Sequence, residues 1–151
     1  MLKEMQIRGL MFDTHHNVYI LVLGHEDHAS VLPIRIEKAD AQAIGLALEG
    51  VFTQRPLTHD LFKNILDTLG AKMLSAVICD LKEEVYYAKL HLVYRDSEFA
   101  IDARPSDAVV MALRMDVPVF VADGVIERQN ASEIDRWLCD LKPEDFGRHS
   151  M

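Results

Sequence analysis

The run Asp102-Ala103-Arg104-Pro105-Ser106-Asp107 joins a strand-like segment to a helical one and sets the framework for the rest of the chain. Residues 98–103 have the character of a strand, and residues 106–115 place apolar side chains on one helical face. Pro105 suits the first helical position because it has no backbone N–H, so Asp107 falls at the third position, near the positive end of the helix dipole. Two acids and an arginine are therefore expected to converge at a helix N-terminus.

A similar run, Arg55-Pro56-Leu57-Thr58-His59-Asp60, precedes a predicted helix over residues 61–69. Thr58 is a suitable N-cap, and Leu57 is placed to form a hydrophobic staple with Phe62. The helix dipole disfavours a cationic His59, which leaves a neutral base or metal ligand at pH 7. Helix capping, an Asp–Arg ion pair and an exposed histidine also explain both runs without any substrate, and both interpretations remain open on residue type alone.

The rest of the chain alternates between strand and helix patterns without a flexible linker. Three strand-like segments on short polar turns lead into a helix over residues 38–49. Further strands are predicted over residues 71–79, 85–94, 98–103 and 117–121, and Ser132 is placed to cap a last helix over residues 133–141 that carries Trp137.

A weak internal repeat is visible when the sequence is shifted by 65 residues, which superposes Ile34 on Phe99, Glu37 on Asp102 and Ala43 on Ala108. The sequence therefore predicts an α+β fold of duplicated strand-strand-helix units, with helices packed on a mixed or antiparallel sheet. Residues 1–127 are expected to form the domain, with a C-terminal helix over residues 128–142 packed on it and a loose tail over residues 143–151.

Composition and charge describe one acidic domain. The 151 residues include 24 acidic and 16 basic side chains, which gives a net charge of −8. Long-range attraction to nucleic acid is therefore not expected. Phosphate would have to be bound locally, by a few arginines, a helix end or divalent cations. No apolar run reaches the roughly 18 residues of a membrane helix, and the first residues lack the apolar core of a signal peptide, which predicts a cytoplasmic protein without a membrane segment.

Two histidine-bearing turns, His15-His16 and His25-Glu26-Asp27-His28, contain possible metal ligands. At about 3.3 Å per residue, the strand between them separates the turns by roughly 20 Å, so they are expected to be separate hydrophilic hairpin turns.

The motifs GxGxxG, GxxxxGK, GxSxG and HExxH are absent from the sequence. Nucleotide-dependent transfer, serine hydrolysis and zincin chemistry are correspondingly disfavoured.

With these runs laid out, the chain resembles the bifunctional nuclease domain family. The matching segments are Leu32-Pro33-Ile34, residues 55–61, residues 101–108, Ala112-Leu113-Arg114 and Val117-Pro118-Val119-Phe120-Val121, spanning about residues 5–126. The resemblance implies a small α+β protein, usually oligomeric, and nuclease activity on DNA and RNA is ascribed to some family members.

We therefore expect a nuclease that hydrolyses phosphodiester bonds. The expected catalytic residues are His59, Asp60, Asp102 and Asp107, the expected substrate-binding residues are Arg55, Thr58, Arg104 and Ser106, and Asp102 and Asp107 are the expected ligands of Mg²⁺ or Mn²⁺. Nucleic acid would be the substrate, and a homo-oligomer the expected assembly. The alternative is a non-catalytic oligomeric scaffold or a regulatory, ligand-binding module, in which the same residues are helix caps and ion pairs.

Overall fold

Two consecutive three-stranded meanders, each followed by a helix, form most of the fold. The computed structural model describes residues 1–27, 30–130 and 146–148. The first unit comprises β1 (Leu2–Asp13), β2 (Val18–His25), β3 (Val31–Ile36) and α1 (Lys38–Leu48). After α2 (Thr58–Leu69), the second unit comprises β4 (Lys72–Lys82), β5 (Val85–Tyr94), β6 (Ser97–Ala103) and α3 (Pro105–Met115). The remaining elements are β7 (Val119–Ala122), α4 (Asp123–Asn130) and β8 (Phe146–Arg148).

The strands of the described residues form one mixed sheet in the order β3-β2-β1-β7-β4-β5-β6, and β8 pairs with β1. Strand β7 joins the two meanders, since it runs antiparallel to β1 and parallel to β4. Val119 illustrates the junction, because it is opposite Met5 on one side and Ala76 on the other. The predicted α+β class is confirmed.

Helix α3 lies at the centre of the molecule. Most of its side chains are buried, which is why its sequence is apolar around much of the helix. The sheet curls around this helix. Although four strands separate β3 from β5 in the sheet, the Tyr86 hydroxyl on β5 donates a hydrogen bond to the Pro33 carbonyl on β3, at 3.4 Å. The two units therefore enclose a shared core and contact each other again between β3 and β5.

The structural repeat has an offset of 67 residues. Val18 and Val85 open β2 and β5, Lys38 and Pro105 open α1 and α3, and Leu48 and Met115 end these helices. The 65-residue offset read from the sequence is wrong by two, so Glu37 corresponds to Arg104 rather than to Asp102. Side chains two residues apart along a strand point to the same face of the sheet. Matching of apolar residues therefore did not distinguish an offset of 65 residues from one of 67. Each unit also contains three strands, not two.

Local details at the helix ends differ from the prediction. Thr58 is the first residue of α2 rather than its N-cap, and the N-cap is Leu57. The reason is that the Leu57 backbone N–H donates to Asp60 Oδ2, at 3.3 Å, so a carboxylate inside the first turn replaces a side-chain cap. Leu57 and Phe62 therefore do not occupy the two positions that a hydrophobic staple joins, the residue before the N-cap and the fourth residue of the helix.

The C-terminal part of the chain is only partly described. Helix α4 immediately follows β7 and overlaps the C-terminal helix predicted over residues 128–142 only at residues 128–130. Phe146–Arg148, within the predicted tail, pairs with β1. The predicted helix over residues 133–141, with Ser132 and Trp137, lies outside the described residues. Among the helices that are described, none is long and apolar enough to cross a membrane.

Candidate functional site

The two sequence runs meet where the N-terminus of α2 packs against α3. His59 Nε2 lies 2.9 Å from Asp107 Oδ1, although 48 residues separate them in the sequence. Both side chains are partly shielded, with 17% of His59 and 33% of Asp107 exposed. His59 Nδ1 makes no hydrogen bond with any described residue. The structure thus places the predicted histidine and carboxylate in one hydrogen-bonded pair.

Arg104 links this pair to α1. Its Nε donates to Asp107 Oδ2 at 2.9 Å, and its Nη2 donates to Asp107 Oδ1 and to Asp40 Oδ1, both at 3.0 Å. Arg104 is the N-cap residue of α3, while Asp40 and Asp107 occupy the third positions of α1 and α3. Sequence reasoning missed Asp40. The 67-residue offset would have found it, because that offset makes Asp40 the counterpart of Asp107.

The charges of the group stabilise one another. Burial raises the pKa of Asp107, but hydrogen bonds from Arg104 and His59 outweigh it, so the pKa lies below its ordinary value of 3.8. The hydrogen bond with Asp107 and the charge of Asp40 in turn raise the pKa of Arg104 above its ordinary value. Asp107 is therefore ionised at neutral pH, as a carboxylate that orients a histidine must be.

The His59–Asp107 pair opens into a largely apolar cleft of about 680 Å³, which we call the apolar cleft. Thr58, Asp102 and Arg104 also line it. The other walls are mainly apolar side chains of α1, α2, β5, β6 and α3: Ala39, Ala43, Leu57, Phe62, Ile65, Leu66, Leu90, Leu92, Ile101, Ala103 and Met111. A proton-transfer group in such surroundings is shielded from bulk water on one side and accessible on the other.

Asp60 lies apart from this cleft in a buried ion pair. Its Oδ1 is 3.0 Å from Arg114 Nε, and both side chains are less than a tenth exposed. Arg114 also donates to the Val51 carbonyl at 2.7 Å and lies over the Phe52 ring, 4.5 Å from its centroid. These contacts fasten the start of α2, and the segment before it, to the end of α3. The structure therefore places Asp60 in a buried ion pair and not in the apolar cleft with His59 and Asp107.

The other predicted site residues occupy three different surroundings. Asp102 is exposed on β6 opposite Lys89, and Thr58 is exposed at the start of α2. Arg55 is exposed, makes no ion pair with a described residue and does not line the apolar cleft. Ser106 is buried and faces a second cleft. The structure therefore brings together His59, Asp107, Arg104, Asp102 and Thr58, but not the whole predicted set.

The donor set does not fit a divalent metal ion. Within the described residues, no three His, Cys, Asp or Glu side chains are grouped closely enough to hold one. Both oxygens of Asp107 accept hydrogen bonds from Arg104, whose positive charge would repel a cation. Asp102 and Asp107 as arranged are therefore poor Mg²⁺ or Mn²⁺ ligands.

The histidine turns are separate, as predicted, since they flank opposite ends of β2. His16 Nδ1 lies 2.6 Å from Asp13 Oδ2, and His25 Nδ1 lies 3.1 Å from Asp27 Oδ1. These local pairs fit ordered hairpin turns. His28 lies outside the described residues.

Comparison with known proteins identifies the family. The model of the bifunctional nuclease domain matches residues 21–133, which is most of the chain. The chain belongs to the bifunctional nuclease domain family. The match covers both runs, and with them the His59–Asp107 pair and Arg104.

Similar proteins of this family occur in bacteria and plants. An uncharacterised protein of Mycobacterium tuberculosis is 37% identical over 123 residues, covering 82% of this chain and 73% of that protein. Bifunctional nuclease 1 of Oryza sativa subsp. indica is 28% identical over 111 residues, covering 71% of this chain and 33% of its own length. Bifunctional nuclease 2 of Arabidopsis thaliana is 29% identical over 105 residues, covering 67% and 32% respectively. The chain thus spans about a third of these plant proteins.

Proposed function

We propose that this bifunctional nuclease domain hydrolyses phosphodiester bonds in DNA or RNA, with His59 as the group that transfers the proton. The 2.9 Å contact between His59 Nε2 and Asp107 Oδ1 carries the proposal, because it joins a base to an orienting carboxylate at the mouth of a cleft. The plant relatives named as nucleases support the class of reaction.

Asp107 selects the tautomer of His59 in the proposed reaction. With Nε2–H donating to the ionised Asp107, Nδ1 is left as the proton acceptor. A water molecule attacks phosphorus and transfers a proton to Nδ1, the bond from phosphorus to the leaving oxygen breaks, and the proton passes to that oxygen. Asp107 stays ionised throughout and stabilises the imidazolium while it exists.

Phosphate contacts in this proposal come from Arg104, Thr58 and Arg55. Arg104 has five N–H donors, and four of its donor contacts go to Asp40 and Asp107, which leaves an Nη1 N–H for a phosphate oxygen. The Thr58 hydroxyl shares the apolar cleft with His59. Arg55 lies further out, on the exposed approach to α2, where it would contact a neighbouring phosphate of a polymer.

The proposed steps use only the protein's own residues, because the expected metal ligands do not fit a divalent ion. Dependence on Mg²⁺ or Mn²⁺ stays a prediction that the assay itself measures.

The test is cleavage of end-labelled single- and double-stranded DNA and RNA by the wild-type protein and by His59→Ala, with Mg²⁺, with Mn²⁺ and with a chelator. His91→Ala is the matched control, since His91 lies on β5 outside the apolar cleft. We expect His59→Ala to lower the cleavage rate by about 10²–10⁴-fold while the protein stays folded, as circular dichroism checks. Equal cleavage by wild type and His59→Ala, or none by wild type, would overturn the proposal.

A second candidate function, an oligomeric scaffold, is favoured by one further observation. Large apolar side chains are about half exposed on α2 and on the adjacent strand β6: Leu61, Phe62, Ile65, Leu69, Phe99 and Ile101. Strand β6 ends the sheet, and nearly all of its side chains are exposed. An apolar edge strand of this kind is a template for pairing with a second copy of the chain.

Sedimentation velocity distinguishes this candidate. Self-association through β6 and α2 predicts an oligomer in the wild type that Ile101→Lys converts to a smaller species. Val31→Lys, at an exposed apolar position on the opposite edge strand β3, tests for non-specific effects of the charge. A monomeric wild type would exclude the scaffold as a homo-oligomer.

A further inference from the structure

A second cleft, with a volume of about 910 Å³, lies between the two repeated units, and we call it the polar cleft. Corresponding residues of both units line it, including Tyr19 with Tyr86 and Glu37 with Arg104. We propose that the polar cleft binds a nucleoside monophosphate, with its phosphate at the N-terminus of α3 beside Ser106 and its base against Tyr19 and Tyr86. The volume is within the range of about 300–1,000 Å³ found for small-molecule sites.

Ser106 is the observation that points to a ligand. Its side chain lines the polar cleft and is only 5% exposed, yet its hydroxyl makes no hydrogen bond with any described residue. A hydroxyl that faces a cleft without a protein partner is available to donate to a bound molecule. Ser106 is also the second residue of α3, where the backbone N–H has no partner within the helix. Hydroxyl and N–H together suit a phosphate oxygen.

Positive charge at the same place comes from Lys38 and Arg104. Lys38 opens α1, lines the polar cleft, is exposed and makes no ion pair with a described residue. Arg104 lines the cleft from the opposite unit. The N-termini of two 11-residue helices, α1 and α3, therefore lie at this cleft with one uncommitted lysine. Carboxylates of Glu37, Asp40 and Glu84 share the lining, so the favourable place for a phosphate is beside Lys38 and the start of α3.

The remaining lining suits the nucleoside. The rings of Phe12 and Tyr19 pack 4.8 Å apart at 47°, and the hydrogen bond from Tyr86 to Pro33 holds the third ring in place. Burial raises the pKa of Tyr86 to about 12, so its ring stays neutral. Aromatic faces stack with any base, which favours a nucleotide over inorganic phosphate. The carboxylates of Glu37 and Glu84, also in the lining, are acceptors for ribose hydroxyls.

This inference rests on the proposed function for its choice of ligand, because a nucleoside monophosphate is the smallest product of phosphodiester hydrolysis. Asp40 and Arg104 line both clefts, so they form a wall shared by the apolar cleft and the polar cleft. A nucleotide held in the polar cleft would lie beside the residue that orients Asp107.

Isothermal titration of the full chain with adenosine 5′-monophosphate, adenosine and inorganic phosphate tests the proposal. We expect the monophosphate to bind at least tenfold more tightly than either fragment, and Ser106→Ala and Lys38→Ala each to weaken it about tenfold. Ser97→Ala and Lys72→Ala, at positions outside the polar cleft, should bind as wild type does, and Lys38→Arg should retain most of the affinity. Absence of binding, equal affinity for the fragments, or unchanged affinity in both cleft variants would overturn the proposal.

The same variants separate this inference from the proposed function. His59→Ala should lose cleavage and keep nucleotide binding, because His59 does not line the polar cleft. Cleavage that depends on His59 in a protein that binds no nucleotide would refute the second site alone. Nucleotide binding that depends on Ser106 in a protein without nuclease activity would refute the proposed function alone.

Discussion

Arg104 is the residue through which the two repeated units contact each other at the candidate site. It holds the equivalent acids Asp40 and Asp107, and through Asp107 it is coupled to His59. A lysine would not replace it, since a single ammonium group cannot reach two carboxylates with the planar geometry of a guanidinium. The chemistry of the site therefore depends on one side chain that both units position.

The lowered pKa of Asp107 has a consequence for acid stability. Because the folded pKa is below the ordinary 3.8, the stabilisation is complete above that value and is lost as the pH falls through the folded pKa. We expect the urea midpoint of the wild type to fall more steeply below about pH 4 than that of Asp107→Asn, whose amide does not titrate. Parallel pH profiles for the two proteins would contradict the assigned ion pair.

The buried Asp60–Arg114 pair gives a second prediction. Asp60→Asn leaves the Arg114 charge buried without its partner, so the free energy of unfolding should fall by about 3–5 kcal/mol. Asp67→Asn, an exposed acid on the same helix, should cost less than about 1 kcal/mol. Chemical denaturation measures both. A small effect at Asp60 would show that the pair does not fasten α2.

At the scale of elements, α2 carries His59 of the candidate site but has few buried contacts with the rest of the molecule. Asp60 is its only buried residue, and its apolar residues are largely exposed or line the apolar cleft. It is tied to α3 mainly by His59–Asp107 and Asp60–Arg114. The geometry of the candidate site therefore depends on how α2 begins and ends.

Gly70 ends α2 in the left-handed conformation, with φ of 78°. In Gly70→Ala the added Cβ contacts no neighbouring atom, but alanine must adopt the left-handed backbone conformation. The substitution should therefore destabilise the protein by about 1–2 kcal/mol. Gly9→Ala is the control, because Gly9 has equal space and no positive φ. Equal stability of the two variants would indicate that the end of α2 is not strained by alanine.

Much of this element structure follows from the sequence. Hydrophobic period, Gly70 and Pro105 located the ends of strands and helices to within a few residues, because these signals are local. The N-cap of α2 was predicted one residue too late, since the capping carboxylate of Asp60 lies inside the helix, and the predicted range 61–69 begins three residues after the observed start. The first five residues of α4 were not predicted as helix, because Gly124 and the polar side chains around it disfavour one. Contacts with β4 and β7 stabilise α4 in the fold.

At the scale of the molecule, the repeat explains the polar cleft and the equivalence of Asp40 and Asp107, whereas His59 comes from α2, which lies between the repeated units. The sequence indicated a repeat but not its true offset, and therefore not the equivalence of Asp40 and Asp107. It also predicted His59 and Asp107 as site residues without placing them in contact, since that contact depends on how α2 lies across α3. Long-range placement of this kind is decided by the shared core, which no local pattern encodes.

The shared core predicts cooperative unfolding. Leu21 in the first unit and Ile78 in the second are fully buried in one cluster, so Leu21→Ala and Ile78→Ala should each lower the free energy of unfolding by about 2–5 kcal/mol. In both variants, circular dichroism and tyrosine absorbance should report the same single transition. Two separate transitions would mean that the units fold independently, in spite of the bridge that β7 provides.

A double-mutant cycle on the cleavage rate tests whether His59 and Asp107 act as one catalytic unit. The rates of the wild type, His59→Ala, Asp107→Asn and the double variant are compared on one labelled substrate, with the fold of each protein verified. We predict that the double variant is no slower than His59→Ala alone, because Asp107 acts on the reaction only through His59. Multiplicative losses, or a cleavage rate that neither substitution lowers, would contradict it.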